Sequence, residues 1–348
     1  MTRVRVLGAG IVGLAVAEEL LQRGHVVEVV DPAPGSGASY AAAGMLSPVG
    51  ELWHGEGSLH RLGRASARLW PAYAERLGVR LQHGTLLVAA DAGDLAQVDR
   101  QVALATRHGD EATGLGRREL LRAEPGLGRV AGGARLPGDH SVDPRAVVAA
   151  LRDRVPVRAA PTPDTDGPPD VTVVATGASL PAPYARLVRG VRGEILRLRL
   201  ETGDLPTHTI RAWVRGEQVY VVPRAGGEVV VGATQEEHDA PAVVTAGGVW
   251  RLLDAARRLL PALDRAVFVE ATARDRPGTV DNLPLVGPTR TPGVLLAAGH
   301  FRHGVLLAPL TARLIADHVE TGLVEPALDP RRSSSHSIHP HEGDSGCT

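Results

Sequence analysis

Hydrophobic and polar positions divide the chain into elements before any residue chemistry is considered. Arg3 to Leu7 alternates toward a buried strand, Ile11 to Gln22 repeats apolar residues at helical spacing, and Val26 to Val30 is a β-branched run. The chain thus opens on a β-α-β unit. Helical periods follow over His60 to Leu77, Asp94 to Arg107 and Pro144 to Arg154. Asp143 can cap the last of these, and Pro144 suits its first turn because its φ is already fixed near the helical value. Strand patterns return at Val171 to Ala175, Arg192 to Leu200, Gln218 to Val222 and Glu228 to Gly232, with Arg224 to Gly227 reading as a hairpin turn. Val249 to Leu260 predicts a helix, Val294 to Ala298 a strand, and Val305 to Val319 a long apolar helix that Gly322 stops. Proline-rich Ala160 to Pro169 reads as a loop, and no solenoid-type repeat recurs.

Composition narrows what these elements can build. At 348 residues, 43% of them hydrophobic, the chain has material for about two cored domains. Its 38 Lys plus Arg against 39 Asp plus Glu give a formal net charge of -1, which leaves no basic footprint for nucleic acid or an anionic membrane. All 38 basic residues are arginine. Schiff-base chemistry and the Walker phosphate loop, which need a lysine amine, are therefore excluded. The single cysteine, Cys347, is penultimate in a polar tail. Disulfides within the chain, thiolate zinc sites and a buried cysteine nucleophile fall with it, and no metal site is expected. No run reaches the roughly 18 apolar residues of a spanning helix, and Thr2, Arg3 and Arg5 lead straight into a strand pattern, so the sequence predicts a cytoplasmic protein without a signal peptide. Arg331 to Thr348 predicts a disordered tail, in which His336, His339 and His341 lack a scaffold for a metal.

The strongest local signal is Gly8-Ala9-Gly10-Ile11-Val12-Gly13, set between predicted strand and helix, with Asp31 closing the next strand 18 residues after Gly13. Gly8 permits the tight turn, Gly10 lets backbone approach a pyrophosphate, Gly13 lets helix and strand pack closely, and the helix N-terminus attracts phosphate charge. Asp31 would accept hydrogen bonds from a ribose and disfavours a 2′-phosphate, which leaves FAD and NAD as candidates.

What separates them lies further along. Ala38-Ser39-Tyr40-Ala41-Ala42-Ala43-Gly44-Met45-Leu46 follows the second strand, and its small residues would let the chain lie against a flat ligand, although a flexible alanine loop fits the composition equally. At this point the sequence resembles the FAD-dependent amino-acid oxidase superfamily. Val171-Thr172-Val173-Val174-Ala175-Thr176-Gly177 is similar to that superfamily's strand-to-turn element, and Val191-Arg192-Gly193-Glu194 to the segment leading into its substrate domain. Three further segments resemble the glycine oxidases of thiamine biosynthesis: Tyr220 to Arg224 with Val231 to Thr234, Arg276 to Asp281, and Ala298 to Pro309. The resemblance covers about residues 4 to 325.

The resemblance implies a Rossmann-type FAD-binding α/β domain joined to a discontinuous antiparallel-sheet substrate domain of α+β type, as in D-amino-acid oxidase. FAD would be held by residues 1–80, 140–190 and 275–325, and substrate by 81–139 and 191–274. It places Arg276, Tyr220, Arg302 and Met45 at the substrate. Around the non-covalent FAD it places Gly8, Gly10, Ile11, Val12, Gly13, Asp31, Pro32, Ala38, Ser39, Ala43, Gly44, Met45, Thr176, Gly177, His300, Phe301, Arg302, His303, Gly304, Val305 and Leu306. No protein group is assigned as catalyst: His300 and His303 read as structural, because flavin oxidation of an amine proceeds without a protein base. A planar guanidinium at Arg276 suits a carboxylate as no ammonium does. The implied activity is oxidation of glycine by oxygen to the imine and glyoxylate with hydrogen peroxide, feeding thiamine thiazole synthesis. Sarcosine, D-alanine or D-proline as substrate, and a non-catalytic dinucleotide-binding protein, are the alternatives. The partners expected are a small amino acid and oxygen, with a homo-oligomer left open. Three features depart from the family. Gln218 stands where a histidine is expected. The Ala160 to Pro169 loop is short, so adenine-side contacts near 155–169 are not carried over. The lysine and internal cysteine of sarcosine-type oxidases are missing.

Overall fold

The computed structural model describes residues 1–161, 168–238 and 240–334. Two sheets organise it. The first has six strands in the order Leu285–Pro288, Val294–Ala298, Val171–Val174, Arg3–Leu7, Val26–Val30 and Val157–Arg158, all parallel except the first. Arg3–Leu7 is central, paired with Val26–Val30 on one side and Val171–Val174 on the other, and Val4 and Val6 are buried on one face of it. Helix Ile11–Gln22 crosses over this sheet and packs against helix Gly304–Thr321; Leu14, Leu20, Leu306, Ile315 and Ala316 are fully buried between them. Gly322, in the left-handed region at φ 76°, ends the latter helix.

The second sheet has nine strands, ordered Val267–Gly278, Arg189–Arg199, Glu228–Gly232, Glu217–Pro223, Thr209–Val214, Leu81–Ala89, Gly132–Val142 and Met45–Leu46, with Thr113–Gly116 also paired to Gly132–Val142. Every pairing is antiparallel except Thr209–Val214 beside Leu81–Ala89. Helix Ala246–Leu259 covers one face, where Leu196, Leu198, Ile210, Val221, Val231 and Leu252 form the core. The mixed architecture with two sheets is the expected fold class, and Arg224–Gly227 does close a hairpin between Glu217–Pro223 and Glu228–Gly232.

Several expectations change. The single helix over His60 to Leu77 is two, Gly57–Ala67 and Trp70–Leu77. Pro71 has no N–H to give, and its ring would meet the carbonyl of Ala67, so it favours a break here and sits in the first turn of Trp70–Leu77. Leu81–Ala89, Gly132–Val142, Thr209–Val214 and Val267–Gly278 are strands that the periodicity did not reveal. Gly84, Gly133, Pro137 and Gly138 interrupt the first two as turn residues would, and both carry a register shift between His83 and Thr85. In the segment read as a tail, Pro330–Ser334 forms a 3-10 turn, and Arg332 pairs with Asp281 at 3.0 Å. The rest of it, with His336, His339, His341 and Cys347, lies outside the described residues, as do residues 162–167 of the proline-rich loop. Among the described residues no helix is long and apolar enough to cross a membrane.

Candidate active site

A cleft of about 480 Å³ opens above the carboxyl ends of the parallel strands, where open α/β sheets bind ligands. Gly8 turns the chain there at φ 104°, and a Cβ on it would overlap the Ala175 carbonyl. Gly10 caps helix Ile11–Gln22 without any side-chain cap, so amides of the first turn face the cleft; Ile11 N donates to Ser39 Oγ at 3.0 Å. Gly13 does not border the cleft. A Cβ there would overlap the Gly8 carbonyl, so its work is close packing of helix on turn. Asp31 accepts from Ala9 N at 2.7 Å and Ala33 N at 2.8 Å, which fixes its carboxylate at the cleft wall. Ile11, Val12, Pro32, Ala38, Ser39, Ala43, Gly44, Met45, Thr176 and Gly177 line the same space, and His300, Phe301, Arg302, His303, Gly304, Val305 and Leu306 close its far end.

Two imidazoles are buried at that end. Burial draws His300 down to about 3, and burial with neighbouring cations, partly offset by Glu51, draws His303 down to about 4; both are neutral near pH 7. His300 Nε2 is 2.8 Å from Thr311 Oγ1, inside helix Gly304–Thr321. That helix begins at His303 without a side-chain cap, so its first amides also face the cleft.

A second cavity of about 350 Å³ adjoins the first and shares Glu51, Tyr220, Arg276 and Arg302 with it. Arg276 enters from strand Val267–Gly278, and its guanidinium lies flat on Gly193, where a Cβ would overlap it. Its Nη1 donates to the carbonyls of Arg192 (3.3 Å) and Thr234 (3.2 Å), and it also hydrogen-bonds the Tyr220 side chain. Tyr220 rests on Gly232 in the same manner. Among the described residues no carboxylate pairs with Arg276, and burial pulls its guanidinium below the ordinary value. Burial likewise pushes the Tyr220 hydroxyl up. Gln218 borders this cavity with Gln235 and Thr234.

Arg302 is held differently. Its Nη2 lies 2.7 Å from Glu51 Oε2, while Glu51 Oε1 pairs with Arg211 from strand Thr209–Val214. Burial alone would raise the Glu51 carboxyl, but Arg211, Arg302 and His303 outweigh it and hold the group at about 2. The turn that carries Glu51 is fixed by Asp139, which accepts from Val49 N at 3.0 Å and Gly50 N at 2.8 Å. Burial lifts Asp139 to about 7 despite those bonds. Met45 borders the cleft with its sulfur 3.7 Å from Arg211 Nη1. The structure thus gathers Arg276, Tyr220, Arg302 and Met45 around two connected spaces, and adds Glu51, Arg211 and Asp139, which sequence reasoning missed. One signal pointed to them: Glu51 and Arg211 are charges set in otherwise apolar stretches, Met45 to Leu52 and Thr209 to Val214.

Comparison with known proteins identifies the family and the fold. Residues 3–318 match the family described as FAD dependent oxidoreductase. The glycine oxidase of Geobacillus kaustophilus is 33% identical over 354 aligned residues, covering 91% of this chain and 92% of that protein. The bifunctional protein ThiO/ThiG of Synechocystis is 33% identical over 94% of this chain, which spans 54% of that longer protein. In structure, the chain is similar to the crystal structure of the Geobacillus kaustophilus glycine oxidase at a TM-score of 0.83 and 31% identity, over 98% of this chain and 99% of that one.

Proposed function

We propose, from the premise that this chain belongs to the FAD-dependent oxidoreductase family, that it is a glycine oxidase supplying thiamine thiazole synthesis. FAD is its cofactor. The cleft fits that group: two helix N-termini whose N-cap residues, Gly10 and His303, supply no side-chain cap suit a pyrophosphate and an anionic ring edge, and Asp31 is set for ribose hydroxyls. Gly8, Gly10, Ser39, Asp31, Thr176 and Gly177 would hold the dinucleotide, and His300 to Leu306 the ring end. When bound, FAD supplies the two-electron acceptor for oxidation of the substrate C–N bond and the route to oxygen. The balanced reaction converts glycine, oxygen and water to glyoxylate, ammonia and hydrogen peroxide.

The observation that carries the substrate assignment is Arg276, a buried guanidinium with carbonyl and tyrosine partners but no acid among the described residues, at the junction of both cavities. A carboxylate completes it through two parallel hydrogen bonds and fixes the α-carbon in place. Tyr220 adds a third donor. His300 and His303 are neutral and engaged in packing, so the amine enters as the free base, without a protein group to take its proton. The 350 Å³ cavity exceeds what glycine fills, which favours sarcosine, D-alanine or D-proline as further substrates. We further assign the six-stranded sheet to the cofactor unit and the nine-stranded sheet to the substrate unit, and the protein to the cytoplasm. The test is anaerobic addition of glycine to the yellow holoprotein, followed by air. Bleaching, then recovery with one peroxide per glyoxylate, is expected; flavin left oxidised by glycine and by all three alternatives overturns the assignment.

A further inference from the structure

Four guanidiniums, Arg211, Arg251, Arg276 and Arg302, line the substrate cavity with two carboxylates, Glu51 and Glu217; Arg251 is paired with Glu236, and Glu51 alone stands between Arg211 and Arg302. Counted as charge, that surplus would invite a substrate with two acid groups. Local geometry points the other way. Glu51 reaches both arginines at once, one oxygen to Arg211 and the other to Arg302, and thereby occupies the place between them that a second substrate carboxylate would take. Its side chain borders both cavities, so it faces any ligand anchored on Arg276.

We propose that Glu51 is the specificity-determining residue of this cavity, a resident carboxylate that restricts the site to amino acids with a single acid group. The inference rests on Arg276 as the anchor of the substrate carboxylate. With that anchor filled, a second anionic group meets the Arg211–Glu51–Arg302 cluster, where its best partners are already bridged and an ionised oxygen repels it across a poorly screened gap, while the cavity's remaining guanidinium, Arg251, is paired with Glu236. Asp139 makes the arrangement rigid: it holds the amides of Val49 and Gly50, immediately before Glu51, and a Cβ at Gly50 would press on both Asp139 and Arg211. Glu51 stays ionised throughout the working pH range, because the flanking arginines offset its burial. Removing its charge or its bulk exposes two guanidiniums with no anion of their own, and a substrate's second acid group then becomes an attractive occupant.

The experiment measures binding rather than turnover, so that it stands apart from the proposed activity. Methoxyacetate and diglycolate share one backbone and differ in the second carboxylate; each is titrated into FAD-loaded protein and followed by the change in flavin absorbance. Wild type should bind methoxyacetate at least as tightly as diglycolate. Glu51→Gln should shift the affinity ratio toward diglycolate at least tenfold, and Glu51→Ala, which also vacates the space, should shift it further. A wild-type protein that already prefers diglycolate tenfold overturns the proposal without any variant. So does a ratio that stays within twofold of wild type in both variants while their flavin content and melting show folded holoprotein. Anaerobic glycine bleaching of the same wild-type sample separates the two ideas: a protein that discriminates the ligands as described but is never reduced by glycine keeps the role of Glu51 and loses the assigned reaction.

Discussion

The cleft over the six-stranded sheet is walled by backbone, whereas the cavity against the nine-stranded sheet is walled by charged side chains. Glycine serves the two in opposite ways. At Gly8 and Gly10 the missing Cβ shapes a turn and leaves amides open to the cleft. At Gly193 and Gly232 it gives room to the protein's own Arg276 and Tyr220. A site built from amides is written in a short stretch of chain. A site built from side chains must be assembled from strands distant in sequence, and each charged group brought in needs a partner or a ligand.

The largest effect that would sharpen this contrast is expected at Gly8. Gly8→Ala combines a positive φ with overlap on the Ala175 carbonyl, so about 3 kcal/mol or more of stability should be lost, and flavin with it. Purified variant that retains full flavin content would contradict a backbone-built cleft. Next comes Arg276→Ala, which should weaken glycine binding by about 2 to 5 kcal/mol, roughly 30-fold to several-thousand-fold, with flavin content unchanged; Arg276→Lys should recover little. If Arg302→Ala alone weakens glycine in rapid anaerobic bleaching, the anchor is Arg302. Gly193→Ala displaces the Arg276 guanidinium and should cost about 1 to 3 kcal/mol, read as a raised KM for glycine at normal flavin content. A change confined to thermal stability would show that the guanidinium does not need this seat.

The two regions should also differ in the sign of their pH dependence. His300 and His303, near the cleft, have folded values of about 3 and about 4, below the ordinary 6.5. Their contribution is complete above pH 6.5 and is lost as pH falls through the folded values, at up to about 1.4 kcal/mol per pH unit for each. Asp139, on the substrate side, is raised from 3.8 to about 7, so its contribution is complete below pH 3.8 and is lost as pH rises through 7. Melting curves between pH 4.5 and 7 should therefore become steeper in pH for Asp139→Asn and flatter for His300→Gln. Identical slopes in both variants would remove the distinction.

The sequence was most readable where physics is local. Strand Arg3–Leu7, helix Ile11–Gln22 and strand Val26–Val30 agree with the reading to the residue, because alternation in the first strand, the helical apolar period and the β-branched residues of the second strand are all local signals and the glycine turn has one conformational purpose. Legibility is partial in the nine-stranded sheet, where Arg189–Arg199 and the hairpin Glu217–Pro223 with Glu228–Gly232 were read but other strands were not. Val267–Gly278 alternates charges with small residues, and its edge position leaves Val267 and Phe268 exposed, so no apolar face marks it. Arg276 could be singled out only through resemblance, since nothing local distinguishes it among 38 arginines. Glu51 and Arg211 were missed for a related reason: an ion pair between residues 160 apart leaves at each position only a lone charge in a mostly apolar stretch, with nothing to connect the two.

The six-stranded sheet has a consequence for how the molecule comes into being. Its central strand is made among the first residues, yet its second neighbour arrives only at Val171–Val174, the next strand out at Val294–Ala298, and the helix that closes the cleft runs to Thr321. Pairings of such sequence separation carry a large loop-closure cost and form late. During synthesis the opening β-α-β unit therefore waits, with one edge of Arg3–Leu7 unpaired, until about half of the chain has been made, and the sheet is completed only when Val294–Ala298 follows. For that interval the exposed edge is a site for mispairing, and the cofactor can be captured only by a chain that is all but finished.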